Sequence, residues 1–257
     1  MRKRFLVWSL RALVLVFALL LWEWAGRIPV SFAFPTATAT GRALINLLRS
    51  GELLDGWRSS GQALLLGYGM ALVTGVPLGL LMGLVPPLGR IARVYLEVLI
   101  VMPMAALVPL VILTMGVNIR ASATIVFIFS MPFVASNAYG GMRDVDPVLV
   151  EMARAFNAHW LQILRAIVLP GALPMILAGA RYGLARAFIG LVVAELLLSP
   201  FGVGRLIMDT RSTFEFDKMF ATVLSMLLVA VMLLSGAQHL ESRVLRWRRR
   251  GEEGGLQ

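Results

Sequence analysis

Long apolar runs, separated by short polar segments, dominate the pattern along the chain. A helix needs about 20 mostly apolar residues to cross a bilayer, and six runs approach that length. They cover approximately residues 5–25, 61–85, 95–115, 121–140, the stretch from Pro170 to Ser199, and 219–236. The pattern predicts an all-α membrane protein with six transmembrane helices.

The first run begins after the basic residues Arg2, Lys3 and Arg4, as a secretory signal would. It is too long for the apolar core of a signal peptide, and Trp22 and Trp24 lie where an interfacial aromatic belt is expected. We therefore expect an uncleaved first span whose N-terminus faces the cytoplasm.

Residues 27–60 mix leucines with arginines and begin with a threonine-rich polar stretch. This composition is typical of one or two short amphipathic helices on the outer surface, and it is equally compatible with a loosely ordered loop.

Glycine and proline modify the next three spans. The second span carries Gly75, Gly79 and Gly83 at four-residue spacing, which lets helices approach closely in lipid. We expect Pro86 and Pro87 to end it, and Arg90 and Arg93 to lie in an inner loop. Proline removes a backbone donor, so Pro103 and Pro109 are predicted to interrupt the third span and Pro132 the fourth.

The composition agrees with a membrane location. Hydrophobic residues make up 59% of the 257 residues and charged residues only 15%, against about 45–50% and 25% in soluble domains. The net charge is +10, but the arginines flank apolar runs instead of forming one face, which argues against a nucleic-acid partner.

Six spans place both termini on one side, and the basic residues indicate which side. About fourteen Lys and Arg residues fall on the side of the termini and about eight on the other, and cytoplasmic loops carry the excess. Both termini are therefore predicted to be cytoplasmic.

The one long polar segment on the inner side runs from residue 142 to 170. Asp146 is a good N-cap and Pro147 suits the first helical position. The pattern from Val148 to Phe156 predicts a short helix, which Asn157 would end in the left-handed conformation. A second amphipathic helix, from His159 to Val168, leads to Pro170, so the segment is predicted to form a helix-turn-helix.

This segment resembles the EAA loop of ABC importer permeases. The family pattern is Glu-Ala-Ala, three residues, Gly, nine residues and then Ile-x-Leu-Pro. The chain has matching residues at Glu151, Ala153, Asn157, Ile167, Leu169 and Pro170. Met152 replaces one alanine and Asn157 replaces the glycine, and asparagine is among the few residues that tolerate positive φ.

Further stretches resemble permeases for sulfonates, taurine, nitrate and thiamine precursors. They are residues 67–83, the Pro103 to Leu110 stretch, 194–204 and 240–247. The resemblance implies a type I importer-like fold with three parts. These are an N-terminal span plus outer amphipathic segment (1–60), a permease core of five spans with the coupling loop 142–170 (61–240), and a basic cytoplasmic tail (241–257).

The resemblance also implies a mechanism. Two permease copies, expected to be a homodimer, would form the path in a bacterial inner membrane. Two separate ATPase subunits would dock on the loop, and an extracytoplasmic binding protein would deliver a small, anionic, sulfonate-like solute. Small Ala153 and Ala155 would permit close approach, while Glu151 would fix the loop by capping or by meeting a basic group.

The chain itself is expected to hold no cofactor and no catalytic or metal site. It has no cysteine and two histidines, and neither of its lysines follows a Gly-rich phosphate loop. An integral-membrane enzyme would need a polar catalytic cluster, and the sequence shows none, which argues against this alternative. A channel or secondary transporter without an ATPase partner stays open as the alternative function.

Ionisable groups within spans usually face a bundle interior or a water-filled path. The candidates for the translocation path or gate are Glu97, Arg186 and Glu195, together with Pro103 and Pro109. Arg186 and Glu195 are nine residues apart, half a turn out of phase on a helix, so we expect each to find its partner elsewhere.

Overall fold

The computed structural model describes residues 2–28, 33–198 and 201–245, and within them every regular element is a helix. The helices are α1 (Arg2–Arg27), α2 (Ala37–Ser50), α3 (Glu52–Leu84), α4 (Pro86–Val101), α5 (Val108–Met115), α6 (Ile119–Arg143), α7 (Pro147–Ala155), α8 (Trp160–Ile163), α9 (Leu169–Leu198), α10 (Gly202–Ser212) and α11 (Phe216–Val244). A 3₁₀ turn (Met104–Leu107) precedes α5, and a π-helical segment (Leu164–Val168) joins α8 to α9.

Among the described residues, four helices have the length and apolar composition of membrane spans: α3, α6, α8 continued into α9, and α11. The helix α4 and the segment Met104–Met115 pass the same test together and meet at a 90° bend. This bend confirms the predicted interruption at Pro103. The helix α1 covers the first predicted span.

Two expected boundaries around the second and third spans are wrong. The helix α3 begins at Glu52, well before Gly61, because Gly51 takes the left-handed conformation and ends α2 there. Pro86 and Pro87 do end the second span, but they also start α4, where proline is tolerated at the first positions. Arg90 and Arg93 therefore lie on a helix and not in a loop.

The predicted break at Pro132 is also wrong. The helix α6 continues through this residue, and the Pro132 side chain is fully buried. Proline removes only one backbone donor, and dense packing within the protein compensates for this loss more readily than lipid would.

The chain divides into two compact units, residues 1–58 with 202–228, and residues 59–201 with 229–257. In the first unit, the helix α2 shows that part of the segment 27–60 forms an ordered helix and not a loose loop. Thr36 caps α2 at Ala39 N–H, and Glu23 Oε2 accepts the Thr38 N–H at 3.0 Å. Trp22 Nε1 donates to the carbonyl of Pro35 at 3.1 Å, so the end of α1 is fixed to the start of α2.

The segment between the fifth and sixth predicted spans contains α10. Ser199 and Pro200 lie outside the described residues, and Gly202, at φ 75°, begins the helix. Val203 and Ile207 are buried on one face of α10, and this amphipathic pattern explains why the segment is helical.

The core of the second unit lies where α6 packs along α9. Small residues of α9 line this contact: Ala187 and Ala194 are fully buried, and a Cβ added at Gly183 would lie 2.5 Å from a side-chain carbon of Val134. Leu191 packs beside Val126 in one cluster. Close packing of small residues is the arrangement expected of helices that associate in lipid.

The glycines of α3 face α6 in the same unit. A Cβ added at Gly79 would lie 2.4 Å from the Ala135 carbonyl oxygen, and one at Gly67 would lie 2.3 Å from that of Ala123. These distances confirm the close helix approach predicted from the glycine spacing. Gly69, in contrast, has nothing within 4 Å of an added Cβ.

Replacement of Gly79 by leucine should therefore destabilise the chain, since overpacking costs about 1–3 kcal/mol or more. The matched control is Gly69→Leu, for which we expect an almost unchanged melting temperature. Thermal unfolding of both variants in detergent checks this prediction. Equal melting temperatures for Gly79→Leu and the unsubstituted chain would show that α3 does not pack closely on α6.

Candidate functional site: the loop around α7 and the ionisable groups of the spans

The loop from residue 142 to 170 begins with the predicted helix cap. Asp146 accepts the Val148 N–H at 2.9 Å, and Pro147 occupies the first position of α7. An Asp cap satisfies a backbone donor that the first turn would otherwise leave without a partner. The start of α7 is thus fixed by local chemistry, with the cap and the first helical residue at the predicted positions.

Asn157 ends α7 as predicted, with φ 54°. The Asn157 N–H donates to the carbonyl of Arg154 at 2.9 Å, and the Ala158 N–H donates to that of Ala153 at 3.0 Å. This pair of hydrogen bonds is the Schellman arrangement, which satisfies the last carbonyls of a helix. Asparagine therefore adopts here the conformation expected of the glycine in the loop pattern that this segment resembles.

The second helix of the loop differs from the prediction. His159 caps α8 in a capping box with Gln162, but the chain then passes through the π-helical segment into α9 without a break at Pro170. The Leu169 N–H donates to the carbonyl of Leu164, five residues earlier. The extra residue in this turn accommodates Pro170, which cannot donate a backbone hydrogen bond. Ile167, Leu169 and Pro170 are half-buried at this junction.

The short helix α7 presents an exposed apolar face. No residue of α7 is buried, and apolar side chains occupy one continuous arc of about a third of its circumference. The arc consists of Val148, Leu149, Met152, Ala155 and, directly after the helix, Phe156, of which Phe156 is 82% exposed.

Sequence reasoning emphasised the small residues of the loop and missed this apolar arc. Ala155 belongs to it, while Ala153 is half-buried on the opposite side together with Val150. Glu151 is exposed at the border of the arc. The regular spacing of apolar residues between Val148 and Phe156, within a polar segment, is the sequence feature that could have indicated this arc.

The candidates for the path lie on different helices. Glu97 forms an ion pair with Arg93, one turn earlier on α4, with Oε1 2.6 Å from Nε. Both side chains are more than half exposed. Pro103 lies in the 90° bend and Pro109 in the first turn of α5, so the two prolines shape the interruption of this span.

Arg186 and Glu195 do not pair with each other, as the half-turn phase predicted. The Arg186 guanidinium carbon lies 4.4 Å from the centroid of the Phe133 ring on α6, a cation–π distance. Glu195 is 4% exposed and follows Ala194, which is fully buried in the hydrophobic core of the second unit. A carboxyl group buried within a membrane helix is expensive and usually functional.

A match to a known protein family identifies the class of protein to which this loop belongs. Residues 75–246 match the family described as the inner membrane component of binding-protein-dependent transport systems, and this stretch contains α6, α7, the π-helical segment and α9. The chain belongs to this family. It is a multi-pass membrane protein and the permease subunit of an ABC importer, as the resemblance of the loop implied.

Similar proteins agree with this assignment. The permease is 32% identical over 253 residues to the Bacillus subtilis protein named aliphatic sulfonates transport permease protein SsuC, covering 96% of this chain and 90% of the relative. It is 30% identical to an ABC transporter permease protein of Methanocaldococcus jannaschii, covering 79% and 76%. The inward-facing methionine ABC transporter MetNI is similar in fold, with a TM-score of 0.59, 21% identity and coverage of 76% and 94%.

Substitution of Asn157 tests the turn that ends α7. A β-branched residue in the left-handed conformation costs roughly 1–2 kcal/mol, so Asn157→Val should lower the protection of the α7 amides from hydrogen exchange by about 5–30-fold. Asn157→Gly should keep or increase that protection. Mass-spectrometric hydrogen exchange measures both, and equal exchange in the two variants would contradict the role of this turn.

Proposed function

We propose that this permease couples solute import to a separate ATPase through α7. The observation that carries the proposal is the exposed apolar arc of α7, held between a capped start and a Schellman end. An amphipathic helix with such a face fits a groove on a partner protein. ATP would be bound and hydrolysed by the partner, and the permease would carry out no catalytic step.

The residues of the EAA-like loop would have different tasks in this coupling. The arc, including Ala155 and Phe156, would enter the groove, and the exposed Glu151 would meet a basic group at its rim. Ala153, Asn157, Ile167, Leu169 and Pro170 would hold the arc in position, since they lie at the turn or half-buried at the junction with α9.

We further propose that two copies of the permease form the path and that Glu97, Pro103, Pro109, Arg186 and Glu195 contribute to it. The bend at Pro103 and Pro109 places a break in the third span, and such breaks line cavities in membrane proteins. The buried Glu195 near the outer end of α9 would help hold the outer gate shut.

The proposed solute is a small anion of the sulfonate type, delivered by an extracytoplasmic binding protein. The support is the similarity over nearly the whole chain to an aliphatic sulfonates permease. Net positive charge and arginines at the ends of spans are compatible with an anionic solute.

The experiment for the assembly is co-expression with a candidate partner ATPase, followed by mass measurement of the purified complex. We expect two permeases with two ATPases, and no ATP hydrolysis by the permease alone. A permease that purifies alone and transports without any ATPase would favour the secondary transporter or channel instead.

The proposed topology has six spans with both termini in the cytoplasm of a bacterial inner membrane. The cysteine-free sequence allows a direct check with single cysteines at four exposed positions and at Glu252, which lies outside the described residues. Ser50→Cys, Val117→Cys and Arg211→Cys should react with an impermeant maleimide added to intact cells. Arg154→Cys and Glu252→Cys should react only after permeabilisation, and the reverse pattern would contradict the topology.

A further inference from the structure

A cleft of about 400 Å³ lies between the start of α7 and the first turns of α9, within the second unit. Its walls are mainly apolar and consist of Leu149, Ile167, Pro174 and Met175, while Asp144 and Asp146 contribute carboxylates. Asp144 is exposed, and Asp146 also caps α7. The cleft therefore suits an apolar or aromatic group with positive charge beside it.

The C-terminal end of α11 runs towards this cleft. Glu241 Oε2 lies 3.3 Å from Arg181 Nε on α9, while Leu233 of α11 lines a pocket with Phe188, further along α9. As numbers rise on α11 they fall on α9, so the two helices are antiparallel. The chain after Glu241 thus proceeds towards Met175 and Pro174.

The register of α9 places the cleft and the ion pair on one side. Pro174 and Arg181 are seven residues apart, which is about 20° around a helix and about 10 Å along it. The end of α11, at Val244, is three residues beyond Glu241. The helix α11 therefore ends on the cleft's side of α9, about two helical turns from the cleft or less.

The residues after α11 combine an aromatic side chain with positive charges, which is the composition that fits this cleft. The segment 246–257 lies outside the described residues and begins with Arg246, Trp247 and three more arginines, Arg248, Arg249 and Arg250. From Val244 to Trp247 the chain spans roughly 10 Å when extended, at 3.3–3.6 Å per residue. Together with the rise of about 4.5 Å from Glu241 to Val244 on α11, this exceeds the distance along α9. Trp side chains bury a large apolar area, and arginine binds carboxylates with paired hydrogen bonds.

We propose that this C-terminal segment docks in the cleft of its own chain, with Trp247 among the apolar walls and the arginines on Asp144 and Asp146. The contact would cover the cleft side of Leu149 and thereby brace α7 against α9, while Met152, Ala155 and Phe156 of the apolar arc lie outside the cleft. The experiment uses no ATPase, solute or second permease, so its failure is distinguishable from a failure of the proposed function.

Disulfide formation in the full chain tests the proposal, because the sequence has no cysteine of its own. Val145→Cys, in the cleft wall, is combined with Gly251→Cys in the tail, and the control pair is Arg90→Cys with Gly251→Cys. The chains are oxidised in phosphatidylcholine nanodiscs, and linked peptides are quantified by mass spectrometry. We expect the first pair to link at least about tenfold faster, a factor that burial of one aromatic side chain can supply.

Variants of the tail and cleft make the result specific. Trp247→Ser or Asp144→Lys should reduce linking to the control rate, whereas Trp247→Phe should retain most of it. Equal rates for the two pairs, or linking that survives Trp247→Ser, would overturn the proposal. An anionic membrane surface is the rival partner of the arginines, and the same measurement in phosphatidylglycerol nanodiscs tests it. Linking of the first pair at the control rate in these nanodiscs would also overturn the proposal.

Discussion

Replacement of Phe156 by serine should weaken binding of the ATPase to the permease by about 10–100-fold. Phe156 is the most exposed side chain of the apolar arc on α7. Burying a side chain of this size contributes about 1.5–3 kcal/mol, and each 1.4 kcal/mol is a factor of ten in affinity. Its φ of −87° is ordinary, so serine fits the same backbone.

The dissociation constant of the ATPase from the permease in nanodiscs measures this effect. The matched control is Val117→Ser, which removes an exposed apolar side chain from the loop between α5 and α6 and should leave the affinity unchanged. Glu151→Lys should also weaken binding while membrane insertion remains normal. Unchanged affinity in both Phe156→Ser and Glu151→Lys would mean that α7 does not bind the ATPase.

Replacement of Glu195 by glutamine should alter transport by at least several-fold, or raise basal ATP hydrolysis, without changing the melting temperature much. Glutamine keeps the shape of glutamate and removes its charge. Glu195 is 4% exposed and lies three residues before the end of α9, and ionisable side chains within membrane helices usually face the bundle interior or a water-filled path.

The control for Glu195 is Ser130→Ala on α6. Ser130 is fully buried in the same unit, and its hydroxyl oxygen has no hydrogen-bond partner, so loss of this polar group should leave transport unchanged. Normal uptake and normal basal hydrolysis in Glu195→Gln would reduce Glu195 to a structural residue of α9.

Features fixed by neighbouring residues could be predicted from the sequence. The cap at Asp146 and the left-handed end at Asn157 depend on a few adjacent groups, and both are confirmed. The glycine spacing of α3 predicted a close approach to another helix, although not that the partner is α6. The break near Pro103 followed from the missing donor of proline.

Features that depend on tertiary packing were not predictable in this way. Pro132 is tolerated inside α6 because its surroundings are buried protein. Pro170 is accommodated by a π-helical turn, which no local pattern indicated. The exposure of Met152 and Phe156 required knowledge of which side of α7 faces α9 and which side is free.

For the ionisable groups, too, local relations could be predicted from the sequence, whereas contacts between helices could not. Helical periodicity predicted that Arg186 and Glu195 do not meet. It did not predict that Arg186 lies over Phe133, since that contact joins two helices. Glu97 could have been paired from sequence, because Arg93 is one turn away and such pairs are neighbours on a helix.

The most direct test of the central claim is uptake of radiolabelled taurine or an alkanesulfonate into proteoliposomes that contain the permease, its ATPase and the binding protein. We predict uptake only when ATP is supplied on the side of α7 and all three components are present, and its loss in Phe156→Ser. Equal uptake by the permease alone, driven by an ion gradient and unaffected by ATP, would contradict the account.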